Sequence, residues 1–215
     1  MRTRLVVAAT AACAVLALIA ALGLTEPGSP SRGVRVVRQS DGSVVLADMG
    51  AGAPVLDIYE DFDCPVCKEL HARVDATIQR LAGEGRVKVV FHPVTVFRDE
   101  PMRSNSVRAA AAARCVPESR WLAFRDELYG MQPAPHGVAS GFTVEELAGA
   151  ARKVGAPVDE CVRSQAYAET HLAESAKAAI EGTPTVVLDG RVLGDEAFDP
   201  RALEAAITGG PGITV

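Results

Sequence analysis

The chain has 215 residues, 48% of them hydrophobic, with 22 Lys and Arg against 27 Asp and Glu for a net charge of −5. That length and apolar content suit one domain with a sizeable core. The mildly acidic balance, with no basic run and no aromatic-basic interleaving, argues against nucleic acid as a partner.

Met1-Arg2-Thr3-Arg4 is a short basic start, and Leu5 to Leu24 runs 20 residues without a charge. Such a run is long enough to cross a bilayer as one helix, while Ala21-Leu22-Gly23 has the small-x-small spacing of a cleavage site. Residues 1–24 therefore read as signal peptide or membrane anchor. In either case Arg2 and Arg4 stay on the cytoplasmic side, everything after Thr25 is exported, and an uncleaved segment 5–24 makes the membrane a partner. Cys13 lies inside the run and reads as a small apolar helix residue. Residues 25–33, rich in Pro, Gly and Ser, have the composition of a flexible linker, which leaves 34–215 as the folded domain.

Val34 to Arg38 and Ser43 to Ala47 are valine-rich runs around Ser40-Asp41-Gly42, the pattern of a leading β-hairpin. Val55 to Tyr59 is an apolar strand that runs through Glu60-Asp61-Phe62-Asp63 into Cys64-Pro65-Val66-Cys67. Behind the cysteines, Leu70, Val74 and Ile78 recur at helical spacing, with the helix ending near Gly83. Arg86 to Phe91 is the next strand, stopped by Pro93, and strand-helix-strand implies a parallel pair. His92, at its end, reads as a surface imidazole. From about 104 to 181 the pattern is helical and broken by Pro and Gly, an all-helical insertion. Trp121, Phe124 and Leu128 form its buried stripe, and Thr143 to Glu146 have capping-box spacing. Thr185 to Leu193 is a second hairpin around Asp189-Gly190, preceded by Gly182-Thr183-Pro184, and Pro200 to Ile207 is a closing helix.

Two cysteines two residues apart at a helix start read as a redox pair. Unpaired N–H groups and the positive end of the helix dipole favour a thiolate at the first of them, so Cys64 is the candidate nucleophile and Cys67 its resolving partner. Pro65 suits the first turn, where its missing N–H costs nothing. Two plainer readings stay open. The pair could hold zinc with His71 as a third ligand, although no fourth ligand is evident, or it could be a static disulfide. Export lets disulfides persist, and with Cys13 set aside the two remaining cysteines pair most economically as Cys115–Cys161, the alternative being free buried thiols.

The order of these elements, with Tyr59-Glu60-Asp61-Phe62-Asp63-Cys64-Pro65-Val66-Cys67 and Gly182-Thr183-Pro184-Thr185, resembles the DsbA-like thiol–disulfide oxidoreductases, and is closest to their exported actinobacterial branch. The resemblance implies an α/β thioredoxin-like fold with an inserted all-helical domain. It also implies a cis Thr183–Pro184 bond lying against Cys64 and Cys67, where client protein would bind. No cofactor or metal is expected, and the implied partners are reduced exported client proteins and a membrane quinone-linked thiol reoxidase. Two departures bear on tuning. Val66 stands where well-known members have histidine, and Ile58 stands where many thioredoxin-like proteins have an acidic residue, a place Glu60 could fill from the same strand face. The expected activity is an extracytoplasmic oxidase that donates the Cys64–Cys67 disulfide. The alternatives are an isomerase or reductase, or a redox-inactive binding protein or chaperone on the same fold.

Overall fold

The computed structural model describes residues 33–48 and 52–209. The segment read as signal peptide or anchor, and the linker up to residue 32, lie outside the described residues. Among the described residues no helix is long and apolar enough to cross a membrane.

The chain enters as β1 (Arg35–Arg38) and β2 (Val44–Ala47), paired antiparallel through a turn in which Gly42 takes φ +92°, a backbone state that glycine adopts without steric cost. Next come β3 (Val55–Glu60), α1 (Pro65–Gly83) and β4 (Lys88–Pro93), and β3 and β4 pair in parallel across the helix. After the helical insertion, β5 (Thr185–Leu188) lies antiparallel to β3 and turns into β6 (Arg191–Val192) through Asp189 and Gly190, both at positive φ as a tight two-residue hairpin requires. The six-stranded order is β1-β2-β4-β3-β5-β6, which puts β3 near the centre. Leu56, Ile58 and Glu60 alternate inward along β3. Leu56 and Ile58 share one core with Leu70, Val74, Ile78 and Leu81 of α1, each at most 3% exposed. A 3-10 turn (Asp195–Phe198) leads to α7 (Pro200–Thr208), which Asp199 caps by accepting from the N–H groups of Arg201 and Ala202.

The insertion consists of α2 (Met102–Cys115), α3 (Glu118–Gly130), α4 (Val144–Lys153), α5 (Asp159–Arg163) and α6 (Ala168–Lys177). Ala109 to Ala113 are all buried, because small side chains let α2 approach its neighbours closely. Trp121, Phe124 and Leu128 are buried on α3, and Trp121 packs against Phe91 of β4 with ring centroids 5.3 Å apart. The insertion thus shares one continuous core with the sheet and α1. Thr143 and Glu146 form the reciprocal capping box at the start of α4. Arg38 of β1 donates to the carbonyls of Ala113, Arg114 and Val116, which would otherwise be unpaired at the end of α2.

His92 is a correction to the surface reading. Its ring stacks on Tyr59 at 4.3 Å and its Nε2 lies 2.8 Å from Asp57 Oδ1, because strand register puts Tyr59 directly beside it.

Cys115, at the end of α2, is bonded to Cys161 in α5 and closes a loop of sequence separation 46. Replacing both by Ala should cost about 4 kcal/mol by loop-closure entropy. Denaturant melts of the non-reduced proteins would measure it, and an unchanged midpoint would show that the staple is redundant with the shared core.

Candidate active site

β3 delivers the chain to the site end of the sheet, and the turn Asp61-Phe62-Asp63 reverses it into α1. The Cys64 N–H closes that turn on the Asp61 carbonyl at 3.0 Å. Phe62, 1% exposed, wedges edge-on against Tyr129 of α3, and Gln132 donates to the carbonyls of Phe62 (2.8 Å) and Cys64 (2.9 Å). The insertion therefore holds the turn from behind. Cys64 occupies the N-cap position with no side-chain cap bond, and Pro65 is the first helical residue.

Cys64 and Cys67 are both free thiols and both buried, while Val66 between them is 45% exposed. The Cys64 Sγ reaches the Thr183 carbonyl at 3.3 Å, and the Thr183–Pro184 peptide is cis. The structure therefore brings together Cys64, Cys67, Thr183 and Pro184, with Pro65 and Val66 on the helix start. Cys115 and Cys161 form a separate bridge in the insertion.

The two thiols are driven apart in acidity. A hydrogen bond from the Cys67 thiol, helped by the N–H groups of Cys67 and Val66 and by Thr183, outweighs burial and brings Cys64 down to about 6. Burial pushes Cys67 far up, and its role as donor to Cys64 adds to the rise. The asymmetry follows from position, since only the first sulfur faces the open N–H groups of the helix start.

Two acids flank Cys64 and both are buried. Asp61 accepts from Ser106 Oγ (2.5 Å) and from the N–H groups of Asp63 and Val96 (3.0 Å each), yet burial raises it to about 7, and a thiolate at Cys64 adds to the rise. Asp63 is raised as well, again first by burial, while Asn105 and His136 oppose the rise. Ser106 and Asn105 of α2 lie over the two acids and take part in burying them.

Glu60 is 1% exposed and already fully engaged. Its carboxylate accepts from Arg125 Nε (2.8 Å) and Nη2 (2.7 Å) and from the Tyr129 hydroxyl (2.9 Å). The same guanidinium lies over Phe91 at 4.4 Å and donates from Nη1 to Asp75 (2.6 Å) and His71 (2.8 Å). Arg125 and Tyr129 were not singled out from the sequence. His71 turns toward Asp75 and Asp126 rather than toward the cysteines. Ligand atoms of His71, Asp75 and Asp126 lie within 4.8 Å of one another, but the Arg125 guanidinium already supplies the positive charge there.

A family model described as Thioredoxin matches residues 49–208. No curated protein matches the chain by sequence. Among solved structures, oxidised DsbA of Mycobacterium tuberculosis is similar at 27% identity and TM-score 0.66, covering 82% of this chain and 91% of its own. The reduced disulfide bond oxidoreductase DsbG of the same organism is similar at 28% identity and TM-score 0.67, covering 81% and 85%. MdbA, a thiol–disulfide oxidoreductase from Actinomyces oris, shares the fold at 24% identity and TM-score 0.66, covering 85% and 100%.

Arg125→Met should cost about 3–5 kcal/mol, because it leaves the Glu60 carboxylate buried without its counter-charge. Denaturant melts would read that loss, and a cost under about 1 kcal/mol, the range of an exposed pair, would sink the structural role of the ion pair.

A second prediction concerns pH. A thiol whose folded-state pKa lies below its unfolded value stabilises the reduced fold fully above the unfolded value, and this contribution is lost as pH falls through the folded one. With Cys64 brought down to about 6 from an ordinary ~8.5, reduction should add on the order of 1 kcal/mol at neutral pH and about 3 kcal/mol in alkali, relative to an ordinary thiol. Asp61 acts in the opposite sense, its contribution being present in acid and lost as pH rises through about 7. Melts of both redox forms across pH, with thiolate absorbance followed in parallel, should show the reduced form gaining on the oxidised one as pH rises. A pH-independent difference would refute the shift.

Proposed function

We propose, on the premise that this chain belongs to the thioredoxin family and is a DsbA-like thiol–disulfide oxidoreductase, that it works as an oxidase on exported proteins. The observation that carries this reading is the split in acidity between Cys64 and Cys67. A pair whose reduced form is stabilised as a thiolate gives up its disulfide readily, so the oxidised pair is a donor.

In the proposed cycle a client thiolate attacks Cys64 Sγ of the Cys64–Cys67 disulfide. The S–S bond breaks, and Cys67 leaves and takes up a proton. A second client thiolate then attacks the client sulfur of the mixed disulfide and expels Cys64, which leaves easily because it is the more acidic thiol. Two electrons have passed from client to protein, and the client holds a new disulfide. Thr183 and Pro184 sit beside the sulfur that is attacked, where an extended client segment can lie against backbone. A membrane quinone-linked thiol oxidase would restore the cysteine pair. An extracytoplasmic setting is supported by the charge-free run 5–24 and by the Cys115–Cys161 bridge, which persists only where thiols are not kept reduced.

A reductase would run the same exchange in reverse, with Cys67 resolving the mixed disulfide, and the reduction potential of the pair decides the direction of net flow. A Cys67→Ala variant should accumulate mixed disulfides with client proteins through Cys64, visible as reducible adducts on non-reducing gels, while Cys64→Ala should form none. Absence of adducts in the first variant, or adducts in both, would overturn the assignment of roles. Insulin reduction that outpaces oxidation of a reduced model client would favour the reductase.

A further inference from the structure

The cysteine pair lacks a polar residue between its members, since Val66 points into solvent. The insertion instead brings a histidine toward the residue on the other side of Cys64. His136 lies in the connection between α3 and α4, its ring packed on Phe97 with centroids 5.6 Å apart, and its Nε2 stands 3.7 Å from Asp63 Oδ2. Asp63 directly precedes Cys64, and its side chain is wholly buried.

Both groups are incompletely satisfied. Asp63 Oδ2 accepts from Asn105 Nδ2 at 3.3 Å, whereas Asp63 Oδ1 is buried without a partner, and so is His136 Nε2. A buried polar atom without a partner costs about 1–3 kcal/mol, and here neighbouring carboxylate and imidazole side chains each carry that cost. The other charged or titratable groups that reach Asp63 are few. From its own segment these are Cys64, whose thiolate raises it, and Asp61, which accepts the Asp63 N–H. From α2 there is Arg108, whose guanidinium is committed to Asn105 Oδ1 and to the carbonyls of Gly141 and Phe142. His136 is the one among them that combines a positive form with a ring nitrogen left without a partner, 3.7 Å from the carboxylate.

We infer that His136 is a positioning residue for thiol–disulfide exchange: its imidazolium engages Asp63 and holds that carboxylate's negative charge away from the Cys64 thiolate. Two electrons entering the cysteine pair create one new anion, at Cys64, beside a buried carboxylate that repels it. A cation beside Asp63 offsets this repulsion, so the reduced state is stabilised and the disulfide made a better electron acceptor.

This inference rests on the oxidase reading, and the test separates the two. In His136→Phe, which keeps a ring on Phe97 but removes the donor and the charge, the Cys64 pKa should rise by about one unit, the lower end of the effect of a nearby charge. The equilibrium with glutathione at pH 7 should move about five-fold toward the oxidised protein. Asp63→Asn alone should lower the Cys64 pKa, and in that background His136→Phe should change neither quantity. Circular dichroism would establish that each variant is folded. An unchanged Cys64 pKa in His136→Phe, or a shift of equal size with and without Asp63, would overturn the inference while leaving the oxidase reading intact. A wild-type Cys64 that titrates in the ordinary thiol range would overturn both.

Discussion

The active site depends on a helix that begins without a side-chain cap. Positions like Cys64 usually carry Ser, Thr, Asp or Asn, whose oxygen accepts from the first N–H groups. Here the N-cap makes no such bond, there is no acid in the first turn of α1, and Pro65 has already removed one donor. The two acids close enough to act as substitutes are turned elsewhere. Asp61 is held by Ser106, Val96 and the Asp63 N–H, and Asp63 by Asn105. What remains for the helix start is sulfur, so the pKa of Cys64 falls to about 6, first through the Cys67 thiol and then through the nearby N–H groups of Cys67 and Val66. An ordinary capping residue would have been better for the helix and would have removed the chemistry.

The insertion is the source of much of this arrangement. Ser106 and Asn105 on α2 hold the two acids, Gln132 pins the turn by two carbonyls, and Arg125 with Tyr129 on α3 neutralises Glu60 at the end of β3. These contacts explain why the insertion shares its core with the sheet instead of forming a body of its own. A hinge between the two would separate a buried carboxylate from its guanidinium, at a cost of several kcal/mol.

Much of the frame was legible because its signals are local. Strand β3, the period of Leu70, Val74 and Ile78, both Asp-Gly turns and the capping box at Thr143 each lie within a few residues. The pairing of Glu60 with Arg125 spans 65 positions and has no local signature. A signal was nevertheless present. Glu60 continues the inward alternation of Leu56 and Ile58, and Arg125 falls between Phe124 and Leu128 on a helix whose buried stripe also includes Trp121. Opposite charges on two faces that must both be buried can be accommodated only by meeting. The burial of Asp61 and Asp63 gave no comparable hint, since acids before a helix ordinarily read as a solvated turn. His92 was misread for the same reason, because a parallel neighbour that covers it with Tyr59 is invisible along the chain.

Two buried acids beside a thiolate raise the question of why the fold tolerates them. The answer lies in reciprocity. If a Cys64 thiolate raises Asp61, then a proton on Asp61 stabilises that thiolate by the same free energy. With Asp61 near 7 and Cys64 near 6, the two groups titrate together across the neutral range. On the proposed reading, arrival of two electrons at the cysteine pair would draw in one proton for Cys67 and a further fraction for Asp61, so that part of the new charge at Cys64 would be neutralised within the site. Burial favours the neutral carboxyl, while Ser106, the Asp63 N–H and the Val96 N–H favour the ionised one, and the balance leaves Asp61 at about 7. An exposed aspartate would remain ionised throughout and could only oppose the thiolate. Burial converts it into a group whose charge yields as the sulfur's charge appears.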